Sequence, residues 1–345
     1  MRVSFIPAAA CTAAICLGLP AVAAADAPAP PPPAAIAPPA PGKIKLTLQK
    51  IGGSPRFAAV NHYVVVRGVV IPYVAGQSVR LTLWRNGRKL SEPTVHVLAV
   101  GNGAGQFHFS FKSGAAGLVH ASAAHDATPQ QAAFSGRSEN VRFVNENVGP
   151  GASGPSVRLL QQELANEHFA VSLSGTFDES TERALVAFRK LNNLSRIGVA
   201  GPQVFKRLSG GAASFHVRYR RDGRHVEANL SKQVLAEIDP HGRVRTIYTM
   251  SSGKPSTPTV IGRFSVYSKT PGTNEKGMVD SNYFIRGYAI HGYPEVPTYA
   301  ASHGCLRIPI PDAPSVFAWV QYGMPVDVYN EGGGGSTHAR GNAGP

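Results

Sequence analysis

Ala289-Ile290-His291-Gly292 and, eleven residues beyond His291, Ser302-His303-Gly304-Cys305-Leu306-Arg307 decide how this chain is read. Ile290-His291-Gly292 reads as a strand end. A thiol becomes a nucleophile only as thiolate and needs a nearby imidazole or other positive field. Two histidines, His291 and His303, stand close to Cys305, with Gly292 and Gly304 beside them. A glycine just before the cysteine leaves backbone N–H groups open to a substrate oxygen, as an oxyanion hole requires. Tyr293-Pro294-Glu295-Val296-Pro297 reads as a loop that bounds a pocket. The residue types leave two other readings open. A lone cysteine can be a small buried hydrophobe, with the histidines satisfied in a core. Two histidines and a cysteine can also ligate zinc, although structural zinc sites want four ligands and Cys-x-x-Cys spacing.

Working outward, segment 213–330 is rich in strand signals. His216-Val217-Arg218-Tyr219 and His225-Val226-Glu227-Ala228 flank Asp222-Gly223, a pair favoured in hairpin turns. Asp239-Pro240-His241-Gly242 marks a further turn into Val244-Arg245-Thr246-Ile247-Tyr248, and 313–320 reads as a short helix. Gly332 to Gly335 opens a polar tail, 331–345, expected to be disordered. Segment 148–210 has helical periodicity: Val157, Leu160 and Leu164 share one face, and a second helix starts near Asp178, a good N-cap, and buries Ala184, Phe188 and Leu191. Ser209-Gly210-Gly211 reads as a linker, so the segment after it is expected to fold alone. Segment 43–147 alternates as strands do, at Lys43 to Leu48, Val79 to Trp84, Phe107 to Phe111 and Val141 to Phe143, with Asn86-Gly87 as a hairpin turn; it reads as a small sandwich without chemistry of its own.

The N-terminus reads as an export signal over 1–25: Arg2, a broken apolar stretch to Leu19, then small residues suited to cleavage. Ala and Pro dominate 26–42, an extended spacer. Removal of the signal takes Cys11 and Cys16 with it and leaves Cys305 as the one thiol, which excludes an internal disulfide. The net charge of +14 suits an anionic wall or membrane surface, or scattered basic residues without a partner. No nucleic-acid-binding motif accompanies it, so nucleic acid is not expected as a partner.

The pairing of Ile290-His291-Gly292 with Ser302-His303-Gly304-Cys305-Leu306-Arg307 resembles the signature of the L,D-transpeptidase (YkuD-type) catalytic domain. Ser251-Ser252-Gly253-Lys254, Thr257-Pro258-Thr259 and Gly262-Arg263-Phe264 resemble its upstream segment, with Val260-Ile261 making the spacing one residue longer; Asn229-Leu230-Ser231-Lys232-Gln233 fits its opening strand. Val157 to Leu164, Gly175-Thr176-Phe177, Thr181 and Ala184 to Phe188 resemble the three-helix peptidoglycan-binding module, although its Gly-Leu-x-x-Asp-Gly stretch stands here as Asn193 to Gly198. Segment 43–147 is similar to immunoglobulin-like spacer domains of wall enzymes.

These resemblances imply a multidomain, mainly-β protein: an immunoglobulin-like β domain, a small three-helix module and a C-terminal β catalytic domain. They imply Cys305 as nucleophile, His291 as base, the Gly292 carbonyl as its orienter, and the N–H groups of Gly304 and Cys305 as oxyanion donors. His303, Arg307, Ser302 and Tyr283 would meet substrate, with a structural ion pair as the other reading for Arg307, loop fixing for Ser302 and core packing for Tyr283. The implied reaction is stem-peptide acyl transfer giving 3→3 cross-links, without metal or cofactor. The partners are donor and acceptor stem peptides, with wall glycan reached through the helical module. An L,D-carboxypeptidase or endopeptidase, and a non-catalytic wall-binding protein, are the alternatives. The location is exported: cell wall, periplasm or exterior.

Overall fold

The computed structural model describes residues 38–49, 51, 56–211 and 214–332. The expected signal, most of the Ala/Pro spacer and the tail beyond Gly332 lie outside the described residues.

The first region is all β: β1 (Lys43–Gln49), β2 (Phe57–Ala59), β3 (Val64–Ile71), β4 (Ser78–Arg85), β5 (Arg88–Ser91), β6 (Thr94–His96), β7 (Leu98–Gly101), β8 (Ala104–Phe111), β9 (Gly117–His125), β10 (Phe134–Arg137) and β11 (Val141–Val144). One sheet runs β1-β3-β8-β7; the other runs β2-β11-β9-β4-β5, with β10 on β9 and β6 on β4. Alternation sends Leu46, Val64, Val66 and Phe107 from one sheet and Leu81, Val119 and Phe143 from the other into a shared core. Asn86 and Gly87 both take positive φ in the β4–β5 turn, as the Asn-Gly pair predicts.

Three helices follow: α1 (Pro155–Asn166), α2 (Glu179–Leu191) and α3 (Pro202–Ser209). Asp178 caps α2, its Oδ1 accepting the Thr181 amide at 2.8 Å. Val157, Leu160 and Leu164 of α1, Ala184 and Phe188 of α2, and Val204, Phe205 and Leu208 of α3 are buried together.

The C-terminal region holds β12 (His225–Asn229), β13 (Val234–Ile238), β14 (Val244–Thr249), β15 (Gly262–Ser265), β16 (Ser268–Thr273), β17 (Val279–Ile285), β18 (Tyr288–Tyr293), β19 (Leu306–Pro309), a 3-10 turn (Ile310–Asp312), α4 (Ala313–Trp319) and β20 (Pro325–Tyr329). Two sheets form, β14-β13-β12-β20-β15 and β16-β17-β18-β19. Val226, Leu235, Met250, Phe284, Ile290, Leu306, Ile308, Val316 and Val326 share the core that joins them.

The structure departs from the sequence reading in three places. No strand forms over 216–219. The amides of Arg218 and Tyr219 instead donate to the buried carboxylate of Glu227, at 2.8 and 2.7 Å, and this draws the segment off the hairpin path. Asn229 to Gln233 is only partly strand: Asn229 ends β12, its side-chain oxygen accepts the Lys232 amide, and Gln233 takes positive φ to turn the chain. The segment after Gly211 has its own core but also shares a second one with the helices. Every residue of β13 is fully buried: Leu235 joins the core between the two C-terminal sheets, whereas Val234, Ala236 and Ile238 pack with the helices in a second, continuous core. A strand covered on both faces needs both covers, so the helices are part of what folds the C-terminal region.

Candidate active site

β18 and β19 lie side by side and parallel, with Ile290 opposite Leu306 and His291 opposite Arg307. Alternation turns Ile290, Leu306 and Ile308 into the core and sets His291, Tyr293 and Arg307 on the other face. Cys305 stands one residue before β19, in the bend that leads into it, with its thiol against Gly287 and Ala289 at the start of β18. Gly292 has to be small: a Cβ there would lie 2.8 Å from the Cβ of Ala313.

His291 is 2% exposed, and its Nδ1 lies 2.9 Å from the Gly292 carbonyl. A carbonyl only accepts, so Nδ1 carries the proton and Nε2 keeps its lone pair. Burial holds the imidazole below its ordinary pKa, helped by the nearby Arg307 charge and opposed by the bond to Gly292. The resting ring is therefore a neutral base in one tautomer. Tyr293 meets it edge-on at 5.7 Å, and the Arg307 guanidinium sits 4.0 Å over the Tyr293 ring.

The Cys305 loop is held by one hydroxyl. Buried Ser302 donates its Oγ–H to the Cys305 carbonyl (2.6 Å) and accepts the Gly304 amide (3.0 Å). Gly304 adopts φ +119°, and a Cβ on it would lie 2.5 Å from the Tyr288 ring, so only glycine fits. Its N–H is not open to a substrate oxygen, contrary to the expectation from sequence: the hydroxyl two residues before it takes the hydrogen.

The Cys305 thiol faces the Gly287 carbonyl at 3.8 Å. Burial pushes its pKa up, against the Ala289 amide and the charges of Arg307 and Lys276. The pair at rest is thus a neutral thiol and a neutral imidazole. His303 is exposed and its Nε2 lies 3.2 Å from the Lys254 ammonium. An ammonium only donates, so that nitrogen's lone pair is occupied. Tyr283 pairs with Ala289 across β17 and β18, two residues before His291, and its hydroxyl accepts from the Asn274 side-chain amide at 3.2 Å.

Residues without a role in the sequence reading complete the site. Ser251 exchanges both backbone bonds with Arg307, each 2.9 Å, and the Ser252 carbonyl accepts the amides of Ala301 and Ser302. Lys254, Lys276 and Arg307 make the surroundings cationic, and Tyr288 walls Gly304. The Ser-Ser-Gly-Lys run was visible as a motif, but Lys276 and Tyr288 carry no local signal. No three His, Cys, Asp or Glu side chains gather into a metal-binding group among the described residues.

Residues 223–328 match the L,D-transpeptidase catalytic domain family, and residues 153–208 match the peptidoglycan binding domain. No curated protein matches the chain. Among solved structures, the L,D-transpeptidase of Xylanimonas cellulosilytica is 31% identical over 54% of this chain and 98% of its own, with a TM-score of 0.49. That of Enterococcus faecium is 27% identical over 31% of this chain and 50% of its own, with a TM-score of 0.28. One from Mycobacterium tuberculosis H37Rv is 13% identical over 82% of this chain and 98% of its own, with a TM-score of 0.28. By these domain matches, the chain carries an L,D-transpeptidase catalytic domain, with a helical domain of the peptidoglycan binding family ahead of it.

Proposed function

We propose that this protein is a peptidoglycan L,D-transpeptidase that forms 3→3 cross-links through a Cys305 thioester, exported to the cell wall and retained there in part by its helical domain. The observation that carries the reading is the neutral His291, locked by the Gly292 carbonyl with Nε2 free, on the strand beside the Cys305 loop. His291 Nε2 takes the thiol proton as sulfur attacks the carbonyl between the third and fourth residues of a donor stem. The Cys305 amide meets the developing oxyanion. The tetrahedral centre collapses, the C–N bond breaks, and the departing D-amino acid takes its proton from His291. An acceptor amine then attacks the thioester, gives its proton to His291 and releases the thiol. Arg307, with Lys254 beside His303, favours a substrate that carries carboxylates, and Tyr283 walls the donor. Ser302 holds the loop rather than reacting.

The test is intact-mass analysis of the full chain with a tetrapeptide donor, with and without a diamine-bearing acceptor stem. The expected result is a thioester adduct that the acceptor discharges into a cross-linked product. The Cys305→Ala variant should melt within a few degrees of the wild type and form no adduct. Activity in Cys305→Ala ends the reading, and discharge by water alone replaces transfer with hydrolysis.

A further inference from the structure

Lys190 comes from α2, outside the catalytic domain match, yet its side chain is 1% exposed. The ammonium donates to the Gln233 carbonyl at 3.2 Å, Thr249 Oγ1 at 2.7 Å and the Met250 carbonyl at 2.9 Å. All three acceptors are uncharged and belong to the catalytic domain. Arg196, another cation, is the charge that acts on it, and burial brings its pKa down to about 7. A buried cation without a carboxylate costs folding free energy, and an apolar residue of similar length would fill the volume at less cost. Stability alone does not account for a lysine here.

Its acceptors do. The Met250 amide donates to the Gln233 carbonyl, so the ammonium closes a corner between the start of β13 and the residue after β14. The Gln233 side chain then grips Ser252 twice, accepting its amide at 2.9 Å and donating to its hydroxyl at 2.8 Å. Ser251 is bonded both ways to Arg307, and the Ser252 carbonyl receives the amides of Ala301 and Ser302. Ser302 holds the Cys305 carbonyl. From Nζ to the nucleophile loop, the path is unbroken hydrogen bonds and single covalent steps. Arg196 of the same module bonds the Thr298 carbonyl in the loop between His291 and Ser302, a second hold on the same segment.

We propose that Lys190 is a positioning residue for Cys305: its ammonium, supplied by the helical module, clamps the Gln233–Met250 corner and so fixes the Ser251-Ser252 segment on which the Ser302–Arg307 loop hangs. The module is then a working part of the catalytic apparatus as well as a wall-binding element. This rests on the reading of Cys305 as nucleophile.

The experiment compares full-length wild type, Lys190→Met and Thr249→Val by amide hydrogen exchange, thermal midpoint and the rate of Cys305 acylation by a tetrapeptide donor. Lys190→Met should speed exchange at Ser252, Ala301 and Ser302 by about tenfold or more relative to amides of the N-terminal β region, with a midpoint within a few degrees of wild type. Its saturating acylation rate should fall about tenfold, with the donor concentration for half-saturation changed by less than about twofold. Thr249→Val, which keeps the ammonium and both carbonyl partners, should move the same amides in the same direction by less. Wild-type exchange at 301–302 in a folded Lys190→Met overturns the proposal, as does a uniform rise across the whole chain. If Lys190→Met does not fold, Thr249→Val decides by the same criterion. A wild type that no tetrapeptide acylates refutes the nucleophile reading instead, and the exchange measurements still report separately on the clamp.

Discussion

Expressing residues 214–332 without the helices strips one cover from β13. Val234, Ile238 and Ile247 are all fully buried in the core shared with α1, α2 and α3. Burying an aliphatic side chain of this size contributes about 1.5–3 kcal/mol, so exposing the three costs about 5–9 kcal/mol. That is an upper figure, because an unfolded chain already hides some of this surface. It is still of the order of a whole domain's net stability, about 5–15 kcal/mol. The carbonyls freed from Lys190 regain water and give little back. Residues 214–332 alone should therefore populate the unfolded state heavily at room temperature, whereas 148–332, which retains the helices, should unfold in one cooperative step. Urea titration followed by far-UV circular dichroism and by the fluorescence of Trp319 distinguishes them. If 214–332 unfolds cooperatively with a free energy within about 1–2 kcal/mol of 148–332, the shared core is not what holds β13, and the reasoning fails.

Acylation should fall about 10²–10⁴-fold in His291→Ala and by less than about tenfold in His303→Ala, read from adduct formation against time; equal losses would contradict the assignment of the free lone pair to His291. Because burial depresses the His291 pKa, the ring stays a free base below the ordinary histidine value of 6.5, so the acid limb of the acylation rate should lie below pH 6.5 and activity should rise with pH through it; a limb at or above 6.5 would rule this out. Gly304→Ala meets both the Tyr288 ring and a positive φ, a cost of about 1–3 kcal/mol, and should slow acylation about tenfold or more; adding Tyr288→Ala should recover the packing part only, and full recovery would mean the backbone is not strained. Glu227→Gln removes a carboxylate that accepts the Arg218 and Tyr219 amides and the Tyr329 hydroxyl, and should lower stability to urea by about 1–3 kcal/mol without changing the acylation rate per folded molecule.

What was legible in the sequence was local. The Asn86-Gly87 turn, the Asp178 cap, the alternation of Phe107 to Phe111, and His291 with the Ser302–Arg307 loop all declare themselves within a few residues, because backbone preference and periodicity act over that range. What was not legible depended on partners far along the chain. Lys190 closes a helix whose last turn carries Arg189 and Lys190, the usual place for solvated cations, and nothing nearby marks it as buried. Val234-Leu235-Ala236 reads as strand, but the run does not tell which element covers each face. Glu227 lies inside a strand pattern, and its pull on Arg218 and Tyr219 is invisible until the carboxylate is seen without water. The Gly304 amide looked open because glycine imposes no side chain; its capture by Ser302 depends on a φ that no spacing reveals.

The clamp at Lys190 also bears on the order in which the chain can be completed. On a growing chain α2 emerges before the strand it serves, and the Gln233 carbonyl arrives 43 residues later. Until then Phe188 has only its own module to hide in, and Lys190 has no reason to leave water. The ammonium gives up its hydration only once Gln233, Thr249 and Met250 are in place, so its burial is a late step that reports completion of β14. A chain halted before Met250 has a solvated lysine and an uncovered helix face, and it has yet to make the segment that carries Cys305.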